Sequence, residues 1–188
     1  MARSFLEDLT AEYLQYFKGY FIKRNVVIEG HGGKSKGGIL GEIDIVAYDK
    51  DNDRHYFYEL SGDADSLAER LKRLRENKIP AIQKYTGNNR IEKNCFNAIF
   101  VFWESGFGHR KQTVAAIKQF EEEYAKKGFD LTILGQPDFM KVVFNAVCDE
   151  QKTNRGTRSE KEIPTEFPLL RLMQLLIKYG LIELPGTS

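Results

Sequence analysis

Residues 41–61 read GEIDIVAYDKDNDRHYFYELS and contain two strand-like runs separated by a polar segment. Glu42–Tyr48 and His55–Ser61 are rich in branched and aromatic residues, which favour β-strands. The intervening Asp49–Arg54 has the composition of a turn. The stretch therefore predicts a β-hairpin, and the elements on either side have to join the sheet that this hairpin begins.

One helix and one strand are predicted before the hairpin. Apolar residues recur every three or four positions over 5–18, which indicates an amphipathic helix that ends at Gly19. Phe21–Ile28 follows as a strand. The loop Glu29–Gly41 then contains six glycines and two lysines.

Helices and strands alternate after the hairpin. A helix capped by Asp65 or Ser66 directs a leucine stripe inward, and Pro80 breaks or restarts it. The strand, helix and strand within 97–134 predict a parallel crossover. Together these elements predict an α/β fold with a mixed sheet flanked by helices. The segments that support it are Asn97–Trp103 (strand), Arg110–Lys127 (helix), Phe129–Leu134 (strand) and Phe139–Cys148 (helix).

The chain of 188 residues suits one domain, expected over 1–148. The polar stretch 149–163 has no apolar period and predicts a loop or linker. Within 164–188, the segment Phe167–Tyr179 predicts a final amphipathic helix that packs on the core or on a partner subunit.

Composition limits the classes of protein that fit. The net charge of +1 excludes a polycation, so a surface for nucleic acid has to be local. Cys95 and Cys148 are expected to be free thiols in a reducing compartment. No apolar run reaches the length of a membrane-spanning helix, so a soluble cytoplasmic protein with no membrane partner is expected.

Two acids interrupt the hairpin strands. A hairpin that turns symmetrically at residues 51 and 52 places Asp44 opposite Glu59, and Glu42 opposite Ser61, with Cβ atoms about 4.5–5.5 Å apart. A shift of two residues would pair Glu59 with Glu42 instead. Either register predicts a cluster of hard oxygen ligands suited to Mg²⁺ or Mn²⁺, since no ligand spacing involves histidine or cysteine. The alternative is a solvated hairpin whose polar face points outward.

The segments Gly41-Glu42-Ile43-Asp44-Ile45-Val46 and Glu59-Leu60-Ser61 resemble the motifs of the PD-(D/E)XK nuclease superfamily. Its restriction-endonuclease and Holliday-junction-resolvase branches are the most similar. The resemblance covers about residues 4–147. It implies a restriction-endonuclease-like fold with an α-β-β-β-α-β-α-β core, and a metal-dependent DNA endonuclease. Asp44 and Glu59 would bind the metal, and Glu7 of the first helix would support the site, with Glu12 as the competing choice.

Ser61 is the departure from that pattern, because the superfamily has a lysine two residues after the glutamate. Some members of the superfamily carry the lysine on the following helix instead, which makes Lys72 the leading replacement and Lys84 the second. Lys72 could equally be a surface residue that pairs with a neighbouring glutamate. If neither lysine reaches the acids, the alternative is a catalytically inactive nuclease-fold module that binds DNA or a protein partner.

Further candidates lie around this site. Lys34 and Lys36, in the glycine-rich loop, could contact a DNA backbone, or the loop could be a plain connection. The Trp103–Gly106 edge is a candidate small-molecule site, with Glu104 as an added ligand. A homodimer is expected, since cleavage of both strands of a duplex usually takes two sites. A basic helix face is interpreted as solvated and comprises Arg70, Lys72, Arg73, Arg75 and Lys78.

Overall fold

The computed structural model describes residues 5–30, 38–61, 66–92, 96–102, 111–154 and 162–182. Only the backbone is described at 61, 96–102, 111–113, 136–137 and 151–154. The chain divides into two compact units. One unit comprises 20–136, and the other comprises 1–19 and 137–188.

Helices and strands confirm a mixed α/β protein. We number the elements in chain order and name the π-helical turn separately. They are α1 Phe5–Tyr16, β1 Phe21–Glu29, β2 Ile39–Asp49, β3 Arg54–Ser61, α2 Leu67–Arg73, the π-turn Leu74–Lys78, α3 Ile79–Asn88, β4 Phe96–Phe102, α4 Lys111–Ala125, β5 Asp130–Gly135, α5 Gln136–Asn154 and α6 Pro168–Lys178.

The unit formed by 20–136 contains a five-stranded sheet with the order β1-β2-β3-β4-β5. The first three strands pair antiparallel, whereas β3 pairs with β4, and β4 with β5, in parallel. The parallel pairing expected within 97–134 is therefore confirmed. The sheet is mixed, as the alternation of elements predicted.

The β2–β3 hairpin has the symmetric register. Its pairs run from Ile45 opposite Tyr58 to Asp49 opposite Arg54, which excludes the register shifted by two residues. The Asp49 carboxylate accepts hydrogen bonds from the backbone amides of Asp51 and Asn52, at 3.0 and 3.2 Å. These bonds close the turn, as the side chain of an aspartate before a turn commonly does.

One hydrophobic cluster joins the sheet to the helices of the same unit. Phe57 of β3 is fully buried, and Leu74 and Ile79 are each 2% exposed. Phe120 and Tyr124 of α4 belong to the same cluster. This burial holds α2, the π-turn and α3 against the sheet, since removal of apolar surface from water is the main favourable term in folding.

The helix after the hairpin does not break at Pro80. Ser66 begins it with a capping box that includes Glu69, and the helix then widens into the π-turn. The backbone N–H of Ile79 donates to the carbonyl of Leu74, five residues earlier. Pro80 has no N–H to donate to Glu76, and its ring crowds the carbonyl of that residue in an α-helix. The wider turn accommodates this loss without ending the helix.

The other unit contains α1, α5 and α6. The Glu12 carboxylate accepts hydrogen bonds from the amides of Leu169 and Leu170, each at 2.9 Å, and so caps the first turn of α6. Helix α5 continues to Asn154, which corrects the expectation that 149–154 belongs to a polar loop or linker. Residues after Cys148 include good helix formers, and a helix needs no apolar face once part of it is packed. Cys148 is a buried free cysteine, while Cys95 lies outside the described residues.

No helix in the part of the chain that the structure describes is both long and apolar enough to cross a membrane.

Candidate functional site

Two acids and one lysine meet beside the hairpin. Asp44 lies on β2, Glu59 on β3 and Lys78 at the end of the π-turn. The Lys78 Nζ atom is 2.6 Å from Oε1 of Glu59 and 3.9 Å from Oδ1 of Asp44. Their side chains are only 15%, 10% and 16% exposed, in the order Asp44, Glu59 and Lys78. We call these three residues the acid–lysine site.

Backbone groups hold the site in place. Oδ2 of Asp44 accepts a hydrogen bond of 2.6 Å from the backbone N–H of Leu60, just beyond the last β2–β3 pair at Ile45 and Tyr58. This bond ties the Asp44 carboxylate to the strand that carries Glu59. The Lys78 amine also donates to the carbonyl of Glu42, at 2.9 Å. Lys78 therefore bridges β2 and β3.

Burial and the neighbouring charge of Asp44 raise the pKa of Glu59 to about 8. Desolvation is the larger cause, and the ammonium of Lys78 opposes both effects. One lysine thus compensates two carboxylates incompletely. The site has a surplus of negative potential once both acids are ionised, which is the condition that favours a bound cation.

The donor set fits a hard divalent cation better than zinc. Asp44 and Glu59 supply carboxylate oxygens, and Mg²⁺ is commonly held by one or two carboxylates together with water and substrate phosphate. Among the described residues, no group of three or more histidines, cysteines, aspartates and glutamates is placed to hold a metal. A closed cage made only of protein ligands is therefore not formed by the described residues, and part of the coordination shell would come from water or substrate.

Lys72 and Lys84 are not the lysines at this site, which corrects the sequence-based assignment. Lys72 is exposed and lines a groove of about 330 Å³ with Arg75 and Glu123. Lys84 donates to the backbone carbonyl of Glu29. Within the described chain, neither amine has a hydrogen bond or ion pair with Asp44 or Glu59.

The basic helix face is also only partly solvated. Arg70 is 2% exposed, and Lys78 is turned into the acid–lysine site. Spacing gives one signal for Lys78, because in a regular α-helix a residue four positions after Leu74 and seven after Leu71 would lie on the leucine stripe. A lysine on the buried side of a helix needs a partner for its charge.

The other predicted site residues lie on α1, β2 and β3. Glu7 is half-buried on α1, in the unit that does not contain Asp44 and Glu59. Glu12 caps α6, and burial raises its pKa while its two amide hydrogen bonds lower it. Glu42 is half-buried and contributes its backbone carbonyl to Lys78. Ser61 pairs with Phe102 through β3 and β4, and its side chain is among those not described.

Three predicted features fall on residues that the structure does not describe. They are Lys34 and Lys36 of the glycine-rich loop, and the Trp103–Gly106 segment with Glu104.

No protein-family model matches the chain, and no curated protein or solved structure matches it.

Proposed function

We propose that this protein is a metal-dependent DNA endonuclease that hydrolyses phosphodiester bonds at the acid–lysine site. The observation that supports the proposal is the position of Lys78, whose amine lies 2.6 Å from Glu59 and 3.9 Å from Asp44. The superfamily pattern combines two acids with a lysine, and the motif Glu59-Leu60-Ser61 lacks that lysine. Lys78 places a lysine beside the two acids. DNA is proposed as the substrate from the resemblance of the two hairpin motifs to the PD-(D/E)XK superfamily.

Each residue of the site has a distinct role in this proposal. Asp44 and Glu59 hold Mg²⁺ or Mn²⁺, which when bound polarises a phosphate oxygen and lowers the pKa of a coordinated water. Lys78 offsets the negative charge of the phosphate and donates hydrogen bonds that orient the attacking water. Hydrolysis joins the water oxygen to phosphorus and breaks one P–O ester bond; the attacking water releases one proton to solvent, and the leaving oxygen takes up one proton from solvent.

Burial has a consequence for how the site is charged. Glu59, with its pKa raised to about 8, is largely protonated at neutral pH when only Asp44 and Lys78 surround it. It must release that proton before it can ligate a metal. Metal affinity and cleavage are therefore expected to increase as the pH rises from 7 to 9.

A second candidate function has its own supporting observation. The Lys78 ammonium already lies against Glu59, so the buried charge is partly balanced without a cation. On this alternative the chain is an inactive nuclease-fold module that binds DNA or a protein partner. The acid–lysine site would then be a structural link between β2, β3 and the π-turn.

Cleavage assays separate the two functions. Purified protein is incubated with duplex, branched and single-stranded DNA, in Mg²⁺, in Mn²⁺ and in excess EDTA. The proposed nuclease cuts at least one substrate only with metal. Both Glu59→Gln and Lys78→Met reduce the rate by about 100-fold or more, as loss of an electrostatic group in an active site commonly does.

Lys72→Met is the matched control, because it removes the same charge from the same helical segment at an exposed position. It is expected to leave the rate within about 2-fold of the wild type, since an exposed charge is well screened by solvent. Metal-independent retention of DNA without cutting would favour the inactive module. Metal-dependent cutting that persists undiminished in Glu59→Gln would refute the assignment of this site.

The proposal extends to assembly. A homodimer provides two sites for the two strands of a duplex, and its mass is measurable by light scattering with and without DNA.

A further inference from the structure

Gly41 lies where β2 passes close to the π-turn and the start of α3. A Cβ atom built at Gly41 would stand 3.2 Å from the backbone carbonyl oxygen of Asn77 and 3.1 Å from the Cβ of Ala81. Both distances are shorter than ordinary van der Waals contact between such atoms. The φ angle of Gly41 is outside the left-handed region, so a side chain there is opposed by close packing and not by backbone conformation.

The residues next to this contact are those that place the lysine. Glu42 follows Gly41, and Lys78 follows Asn77. The Lys78 amine donates to the Glu42 carbonyl at 2.9 Å, one residue along each chain from the close approach. The separation of β2 from the π-turn at Gly41 therefore determines whether the Lys78 amine can reach Glu42 and, beyond it, Glu59.

The π-turn changes which residue occupies the buried position after Leu74. Leu74 and Ile79 are both buried at a spacing of five residues, which a π-helical bond from Ile79 to Leu74 permits. In an uninterrupted α-helix, Lys78 would occupy the buried position four residues after Leu74. With Ile79 in that position, Lys78 lies at the margin of the cluster, next to β2.

We propose that Gly41 is a positioning residue of the acid–lysine site: its lack of a side chain lets the π-turn approach β2 so that Lys78 reaches Glu42 and Glu59. Any side chain at this position pushes the π-turn outward and withdraws the amine from the two acids. The catalytic consequence rests on the proposed nuclease function. The placement of Lys78 does not, and can be measured without any DNA.

The first measurement is the reactivity of the Lys78 amine. Folded protein is acetylated with a limiting amount of an N-hydroxysuccinimide ester, and labelling at each lysine is followed by mass spectrometry. Lys78 is expected to react slowly in the wild type, because its side chain is 16% exposed and its amine is engaged. In Gly41→Ala its labelling is expected to increase several-fold relative to Lys72, which serves as an internal reference.

Two further variants make the test specific. Gly87→Ala is the control, since a Cβ there meets nothing within 4 Å, and its labelling pattern is expected to match the wild type. Gly41→Ala combined with Ala81→Gly removes one of the two close contacts and is expected to restore part of the protection of Lys78. If Gly41→Ala alone does not fold by circular dichroism, this double variant is compared with the wild type in its place.

The outcomes distinguish this inference from the proposed function. Faster labelling of Lys78 in folded Gly41→Ala supports the positioning role, whether or not the wild type cuts DNA. Labelling of Lys78 equal to the wild type in folded Gly41→Ala overturns it; if only the double variant folds, labelling equal to the wild type there overturns it, because the contact with the Asn77 carbonyl remains. If the wild type is a nuclease, Gly41→Ala is expected to lower kcat by about 2- to 10-fold with KM little changed, since the π-turn has to move by a few tenths of an ångström and a misplacement of about 1 Å costs about 100-fold.

Discussion

Glu59→Gln should change how the stability of the protein depends on pH. Wild-type Glu59 has its pKa raised from 4.5 to about 8, through burial first and the charge of Asp44 second. An acid whose pKa is raised in the folded state contributes stability below the pKa of the unfolded chain, and that contribution is lost as the pH rises through the folded value. The rise corresponds to about 5 kcal/mol of unfolding free energy across that window. The glutamine has no proton to lose.

The difference in unfolding free energy between Glu59→Gln and the wild type should therefore increase with pH. From pH 4.5 to 7 the increase is about 3 kcal/mol, and it levels off above pH 8 at about 5 kcal/mol.

Urea denaturation followed by circular dichroism, every half pH unit from 5 to 9 in EDTA, gives the two curves. Repeating the series with 10 mM Mg²⁺ should recover much of the wild-type stability above pH 7 and change Glu59→Gln less, because a bound cation compensates the ionised pair. A difference between the two proteins that stays constant from pH 5 to 9 would refute the argument that Glu59 is buried beside an incompletely neutralised Asp44.

Two predictions concern other parts of the fold. Glu12→Ala should lower the free energy of unfolding by about 0.5–2 kcal/mol, because it removes the acceptor for the amides of Leu169 and Leu170. Hydrogen exchange of these two amides should accelerate. Unchanged exchange would contradict the capping role. Phe57→Ala should lower the free energy of unfolding, measured by urea denaturation, by about 3–5 kcal/mol, since the ring is fully buried in the cluster between the sheet and the helices. A loss below 1 kcal/mol would show that the ring is not enclosed there.

Local patterns were sufficient for much of the fold. The alternation of branched and aromatic residues on both sides of Asp49–Arg54 predicted the hairpin and its register. The serine at 66, followed by a glutamate three residues later, supplied the helix cap. These features depend on residues close in the chain, and interactions of short range are the ones that a linear pattern contains.

A symmetric turn also placed Asp44 opposite Glu59, and the sequence left open a shift of two residues that the observed register excludes. Only the tertiary structure decided which lysine joins them. Lys78 reaches the acids because Pro80 prevents an ordinary α-helical hydrogen bond, the π-turn moves Ile79 into the buried position, and Gly41 admits the helix against β2. The first two effects act within one helical segment, whereas the contact of Gly41 joins residues far apart in sequence and depends on packing distances of a few ångströms, which the period of a helix does not contain.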